Sequence, residues 1–315
     1  MNSRRDFLKG TAWMGAVAMF GGCEALKLTN GGTMQGFACA PLKKIRVGVI
    51  GIGRRGCWAS ERLSQVPGVY VTAIADVEQF RLDEGVKAVR KSGKAAPKTH
   101  LGAEAWKQIC EGDEVDLVYV TAPWELHVPV AVYAMEHGKH SAIEVPCAMS
   151  VDECWQLVET AEATRKHCIP LENCCYGDSE LLALNLVRSG VLGELVHGEG
   201  AYIHDLRNMC LENYPDYEYW RYPHNRDHAG NRYVTHGLVP LCLTMDVNRG
   251  DRMEYLVSMD NREKNFDLYK KNHLKPGDPR LTDTMKTGDM NTTLIRTALG
   301  KTIMIQHDVS SPRPY

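Results

Sequence analysis

Three glycines and one aspartate carry the clearest chemistry in the chain. Gly51-Ile52-Gly53-Arg54-Arg55-Gly56 has the spacing GxGxxG, and Asp76 stands 25 residues beyond the first glycine. Glycine at such positions allows a tight turn and lets backbone amides approach a pyrophosphate at a helix N-terminus. An acid at that distance accepts hydrogen bonds from the adenosine ribose and repels a 2′-phosphate, which points to NAD over NADP. Arg54 and Arg55 leave NADP open, since an arginine can hold that phosphate, but both also suit the pyrophosphate. Asp76 could also be an ordinary turn residue at a strand end. His224 and His228 are four apart, yet no acid sits between them in the HExxH manner. The cysteines show no CxxC spacing, so no metal ligand set is expected and a solvated loop explains these histidines.

The surrounding residues read as elements able to position that loop. Ile45–Ile50 is a continuous apolar-rich run, as in a buried parallel strand. An amphipathic stretch with Trp58, Leu63 and Val66 follows, then a second strand from Val69 to Ala75 ending in Asp76. Val115–Thr121 reads as a third strand, and Ala122-Pro123-Trp124-Glu125-Leu126-His127 as a turn. A helix then runs to His137 and stops at Gly138, and a strand spans Lys139 to Val145. Ser150 and Glu153 form a capping box for a helix carrying Trp155, Val158 and Ala161. Alternating strands and helices imply a parallel sheet in an α/β fold. With 315 residues, 44% of them hydrophobic, two domains are expected. A net charge of −2 and the lack of a basic stripe argue against nucleic acid.

The first residues read as an address. Ser3-Arg4-Arg5-Asp6-Phe7-Leu8-Lys9 matches the twin-arginine export signal, and Gly10 to Gly22 forms its apolar core. Phe20-Gly21-Gly22-Cys23 resembles a lipoprotein box, with Phe where Leu is commoner, and would make Cys23 a lipidated first residue. Residues 1–23 are thus expected to be a signal and 24–42 a flexible tether. The destination implied is the periplasm or a membrane anchor. Eleven scattered cysteines fit buried free thiols, because the twin-arginine route exports folded protein.

Beyond Asp76 the chain resembles the Gfo/Idh/MocA oxidoreductases. In those proteins a Rossmann domain precedes an α/β domain whose open sheet covers the nicotinamide. Their usual Glu-Lys-Pro signature reads Glu144-Val145-Pro146 here, so the catalytic lysine is replaced by a side chain that carries no proton. Leu171-Glu172-Asn173-Cys174-Cys175-Tyr176, Gly198 to Arg207, Asn231-Arg232-Tyr233-Val234-Thr235-His236-Gly237 and Asn248-Arg249-Gly250-Asp251 are similar to glycoside hydrolase family 109. That family is known for α-N-acetylgalactosaminidase activity, and the similarity runs from about Lys43 to Tyr315. Val234, Val239 and Gly177-Asp178-Ser179 depart from its pattern.

The resemblance implies an NAD-binding Rossmann domain over 43–166. A substrate domain over 167–315 would follow, with an open, mostly antiparallel sheet that is incomplete at its C-terminal end. NAD would be held tightly, and not consumed, by Gly53, Arg54, Arg55, Asp76, Trp124, His127, Glu144, Val145 and Asn173. Tyr202, Arg221, Tyr233, Val234, Thr235, His236 and Tyr315 would line the sugar site. His236 would take the carbon 3 hydroxyl proton, since imidazole titrates near working pH, and Tyr233 would share it. Tyr176 is a candidate for the carbon 2 base. The implied reaction is a retaining one: oxidation at sugar carbon 3, elimination of the aglycone, water addition and re-reduction, acting on glycans with terminal α-N-acetylgalactosamine. An NAD-dependent sugar or polyol dehydrogenase and a non-catalytic sugar-binding lipoprotein stay open beside it, as does a homo-oligomer.

Overall fold

The computed structural model describes residues 32–211 and 220–314. The export signal, Cys23 and Tyr315 therefore lie outside the described residues. Among those described, no helix is long and apolar enough to cross a membrane.

The first sheet has six parallel strands: β1 (Ile45–Ile50), β2 (Val69–Asp76), β3 (Lys98–Leu101), β4 (Leu117–Val120), β5 (His140–Ile143) and β6 (Cys168–Pro170). Their order, β3-β2-β1-β4-β5-β6, is that of a Rossmann fold. Strand β6 carries this sheet past the boundary read at residue 166. The strand expected third is in fact fourth, because β3 was not legible. Only His100 of β3 is buried, so it has no apolar run to read. Helices α1 (Arg54–Gln65), α2 (Gln79–Arg90), α3 (Ala105–Glu111), α4 (His127–Glu136) and α5 (Val151–Thr164) link the strands. The capping box of α5 forms as expected: Glu153 N–H donates to Ser150 Oγ, and Ser150 N–H donates to the Glu153 carboxylate.

Helix α1 turns a different face inward from the one its apolar residues suggest. Gly56, Ala59, Ser60 and Ser64 are buried, while Trp58 and Val66 are exposed. The serine hydroxyls donate to carbonyls one turn back, Gly56 O and Ser60 O, so they bury without an orphaned donor. The small face is needed because α1 sits against the glycine loop. A Cβ on Gly56 would lie 1.9 Å from Gly51 O. Trp58 is instead flanked by the guanidinium groups of Arg55 and Arg62, each 4.9 Å from its ring.

Residues 32–42, expected to belong to a flexible tether, are partly docked. Arg165 donates to Gly32 O at 2.7 Å and stacks over Phe37, whose ring also meets His167. Met34 packs against the first core. The contacts of Met34 and Phe37 explain why the segment settles on the domain.

The second domain carries α6 (Asp178–Arg188), β7 (His197–Ile203), α7 (Arg207–Leu211), α8 (Arg221–Asp227), α9 (Thr235–Thr244), β8 (Met253–Asp260), α10 (Asn265–His273), β9 (Asn291–Thr297) and β10 (Thr302–Asp308). Its sheet runs β7-β10-β9-β8, with β10 parallel to β7 and the other two pairings antiparallel. Edge strand β8 leaves Tyr255, Leu256, Val257 and Met259 exposed. On the other flank α9 lies directly on β7. A Cβ on Gly200 would meet Gly237 O at 2.2 Å, and one on Gly237 would meet Ala201 N at 2.6 Å. This backbone contact sets the height of Tyr233 and His236 above Tyr202. Gly237→Ala is expected to lower the unfolding free energy by about 1–3 kcal/mol, read as a lower urea midpoint. An unchanged midpoint would show that helix and strand separate here at no cost.

Candidate functional site

Every first-domain residue of the site sits just beyond the carboxyl end of a strand, where ligands bind in open α/β sheets. The glycine loop follows β1 and Asp76 ends β2. Trp124 follows β4 in a short 3-10 turn, Glu144 and Val145 follow β5, and Glu172 and Asn173 follow β6.

The loop fits a dinucleotide. Asp76 Oδ2 accepts the Ile52 amide at 2.6 Å and its Oδ1 accepts the Glu78 amide, so the carboxylate is fixed beside the loop. Gly53 faces open space, where a Cβ would meet nothing within 4 Å, and a pyrophosphate can occupy that space. Arg54 stands exposed at the start of α1. Arg55, read from sequence as a pyrophosphate ligand, is committed elsewhere: its Nε donates to Glu144 Oε1 at 2.8 Å, and its Nη2 reaches Asn173 Oδ1 at 3.4 Å. The physical reason is that Glu144 is buried, and a buried polar side chain is costly without hydrogen-bond partners. The Tyr119 hydroxyl supplies a second donor. Arg55, Glu144 and Asn173 thus join the ends of three segments into one wall.

His127 also departs from its expected role as a cofactor contact. It is 1% exposed, with Nδ1 2.7 Å from Pro146 O and Nε2 2.9 Å from Ala122 O. Burial lowers its pKa. Both nitrogens face main chain, so His127 acts by pinning the turn after β4 to the turn after β5.

The second domain closes the site with rings. Trp124 and Val145 from the first domain bury together with Tyr202, Tyr222 and Tyr233 from the second. Tyr202 lies 4.3 Å from Tyr233 and 5.5 Å from His236, centroid to centroid, and Tyr233 meets His236 edge-on at 4.9 Å. The Arg221 guanidinium lies over Trp124, Trp220 and Tyr233, at 5.0–5.3 Å from each ring. Burial raises the Tyr233 phenol well above its usual range, with Arg221 working the other way. Burial thus favours the protonated phenol at Tyr233.

Sequence reasoning gave Glu172 no role, yet it is the most consequential acid of the site. It is 4% exposed, and its Oε1 lies 2.6 Å from His236 Nδ1. Burial pushes its carboxyl up, but His236 and the Cys174 amide outweigh burial and hold it below the ordinary glutamate range. The pair is 64 positions apart in sequence, so spacing could not reveal it. The available signal was a single acid just past the carboxyl end of an apolar strand.

The remaining expected residues divide. Thr235 opens α9 beside His236, whereas Val234 packs into the core beneath the second sheet. Tyr176, the candidate carbon 2 base, is 69% exposed and makes no ring contact with the Tyr202–Tyr233–His236 group among the described residues. His224 faces Glu125 at 2.9 Å across the domain boundary, which accounts for one of the paired histidines.

Comparisons agree with this division of the chain. Residues 45–171 match the oxidoreductase family with an NAD-binding Rossmann fold, and residues 176–315 match the glycosyl hydrolase 109 C-terminal domain. The chain is 44% identical over 283 residues to an alpha-N-acetylgalactosaminidase of Bacteroides fragilis, covering 89% of this chain and 67% of that one. It is 44% identical over 317 residues to a glycosyl hydrolase family 109 protein of Solibacter usitatus, covering 99% and 71%. A similar protein of Porphyromonas gingivalis is 46% identical, but the chain spans 57% of its length. Among solved structures, an NAD binding oxidoreductase from Klebsiella pneumoniae superposes with TM-score 0.65 at 18% identity, covering 86% of this chain and 68% of that one. Scyllo-inositol dehydrogenase from Lactobacillus casei, solved with NAD(H) and scyllo-inositol, gives 0.62 at 14%, covering 85% and 71%. These structural likenesses bear on the fold alone.

The Glu172 carboxyl makes a signed prediction for stability. Its pKa is lower folded than its ordinary value of 4.5, so its contribution is full above that value and is lost as pH falls through the lowered native one. Glu172→Gln is expected to be less stable than the unmodified protein at about pH 7 and to converge on it as the pH falls below the ordinary glutamate range, as read by thermal unfolding. A gap that does not change with pH would contradict the buried charged contact.

Proposed function

We take as premise the glycosyl hydrolase 109 family, to which this chain belongs, and propose that it is a retaining α-N-acetylgalactosaminidase using bound NAD within each turnover. The observation that carries this reading is the composition of the nicotinamide end. The site offers a carboxylate-bound histidine and a protonated tyrosine, with valine where a dehydrogenase of the parent superfamily has lysine. Gly53, Asp76, Trp124 and the Arg55–Glu144–Asn173 wall would hold the dinucleotide. When bound, NAD supplies an acceptor for the hydride of sugar carbon 3 and later returns it, which acidifies carbon 2 in between and allows the aglycone to leave.

The chain's own residues move protons. Glu172 Oε1 stands 2.6 Å from Nδ1, which leaves Nε2 as the nitrogen of His236 that accepts a proton. His236 thus takes the carbon 3 hydroxyl proton and gives it back when the hydroxyl re-forms. Tyr233, kept protonated by burial, donates a hydrogen bond to the same oxygen. Arg221, held between three rings, presents donors to the sugar. The Trp124–Tyr202–Tyr233 surface gives the ring a dry apolar wall. The paired acid and base carboxylates of ordinary glycosidases are not required. Export through the twin-arginine route belongs to the same proposal. A protein folded around a cofactor that it never consumes needs no NAD supply outside the cytoplasm.

The purified protein is expected to release nitrophenol from a nitrophenyl α-N-acetylgalactosaminide with no NAD added. His236→Gln is expected to lower kcat by about 10²–10⁴-fold while NAD stays bound. Reduced NAD accumulating without nitrophenol would replace this reading with a dehydrogenase. Sugar binding without either product would replace it with a binding protein.

A further inference from the structure

Beneath His236 the structure brings together three groups that the reaction does not explain as a set. A ligand atom from each of Glu172, Cys174 and His236 lies within 4.8 Å of the other two, and among the described residues no other group of three such side chains does so. Glu172 is deeply buried, and its Oε2 has no hydrogen-bond partner. His236 Nδ1 touches Oε1 at 2.6 Å, yet it is not directed as a proper hydrogen bond. Buried oxygen and nitrogen atoms left in this state call for an explanation. The Cys174 sulfur completes the group and receives a long contact of 3.5 Å from Asn173 Nδ2.

The donor set is informative. A carboxylate oxygen, a thiol sulfur and an imidazole nitrogen are the ligand types of zinc, and three protein ligands leave a fourth, open position. Metal–donor bonds of about 2.0–2.3 Å place tetrahedral donors roughly 3.3–3.8 Å apart, so side-chain shifts of about 1 Å would suffice. The turn Asn173–Cys175 supplies the cysteine, β6 leads into the glutamate, and α9 supplies the histidine. CxxC or HExxH spacing therefore could not announce the site.

We propose that Glu172, Cys174 and His236 form a binding site for a thiophilic divalent cation such as zinc, and that its occupation switches the site off. The second half rests on the role given to His236 above. Binding forms metal–oxygen, metal–sulfur and metal–nitrogen bonds, and the Cys174 thiol proton leaves to solvent. The single proton of the neutral imidazole moves from Nδ1 to Nε2. Nε2 then carries a hydrogen and can no longer accept one, so His236 ceases to be a base. No oxidant or reductant is involved.

The full chain is to be titrated with cobalt(II) and followed by absorption, then with zinc in competition with a chromogenic chelator, alongside Cys174→Ser. One equivalent of cobalt is expected to give a thiolate-to-metal charge-transfer band. The variant is expected to bind zinc at least about tenfold more weakly, since losing a ligand should cost no less than losing an outer partner. Absence of the band from the unmodified protein, or zinc affinity unchanged in the variant, would overturn the site without reference to catalysis. Zinc bound at the site with hydrolysis undiminished would keep the site and overturn both the switch and the part assigned to His236.

Discussion

A carboxylate buried at the end of one domain, with its histidine partner in the other, is the constraint around which the site is built. Glu172 follows the last strand of the Rossmann sheet, and His236 opens a helix of the second domain. Removing a charge from water costs several kcal/mol unless a partner offsets it. The two domains therefore cannot separate freely without stranding Glu172. The aromatic cluster acts in the same direction, because Trp124 and Val145 are buried in one cluster with Tyr202, Tyr222 and Tyr233 across the boundary. Packing of the two domains and placement of His236 are thus one event.

The same logic explains why a residue at each strand end has two duties. Glu144 binds Arg55 and so fixes the first turn of the helix that follows the glycine loop. His127 spans two turns by facing Pro146 O and Ala122 O. These contacts preorganise a cleft whose cofactor loop and proton-carrying groups belong to different domains. Preorganised polar groups of this kind need no rearrangement when charge develops on a substrate. Valine at position 145 fits the arrangement physically, since a lysine ammonium would be buried within the ring cluster beside Arg221.

Much of the first domain was legible because its signals are local. An apolar run, three glycines and an acid lie within 32 residues, from Ile45 to Asp76, and the capping box at Ser150 is a four-residue pattern. Legibility failed where tertiary packing overrode periodicity. On α1 the apolar Trp58 was left outside because the inner face had to be small enough for Gly51 and Gly56 to meet. Strand β3 pairs through its backbone with one buried side chain and so left no trace in the sequence. In the site, motif resemblance supplied the histidine and the tyrosines. It did not show that Arg55 and His127 are tied to Glu144 and to main chain, since those partners are 89 and 19 residues away in sequence. The Glu172–His236 contact was hidden for the same reason.

At the centre of the proposed reaction, the sugar's carbon 2 proton leaves and is replaced from solvent during cleavage, with no net oxidation. The most direct test is to run hydrolysis of an α-N-acetylgalactosaminide in deuterated water and read the released sugar by mass spectrometry and NMR. The account predicts one solvent deuterium at carbon 2, none at carbon 3, and retained anomeric configuration. A released sugar with no deuterium at carbon 2 would mean direct displacement at the anomeric carbon and would contradict it.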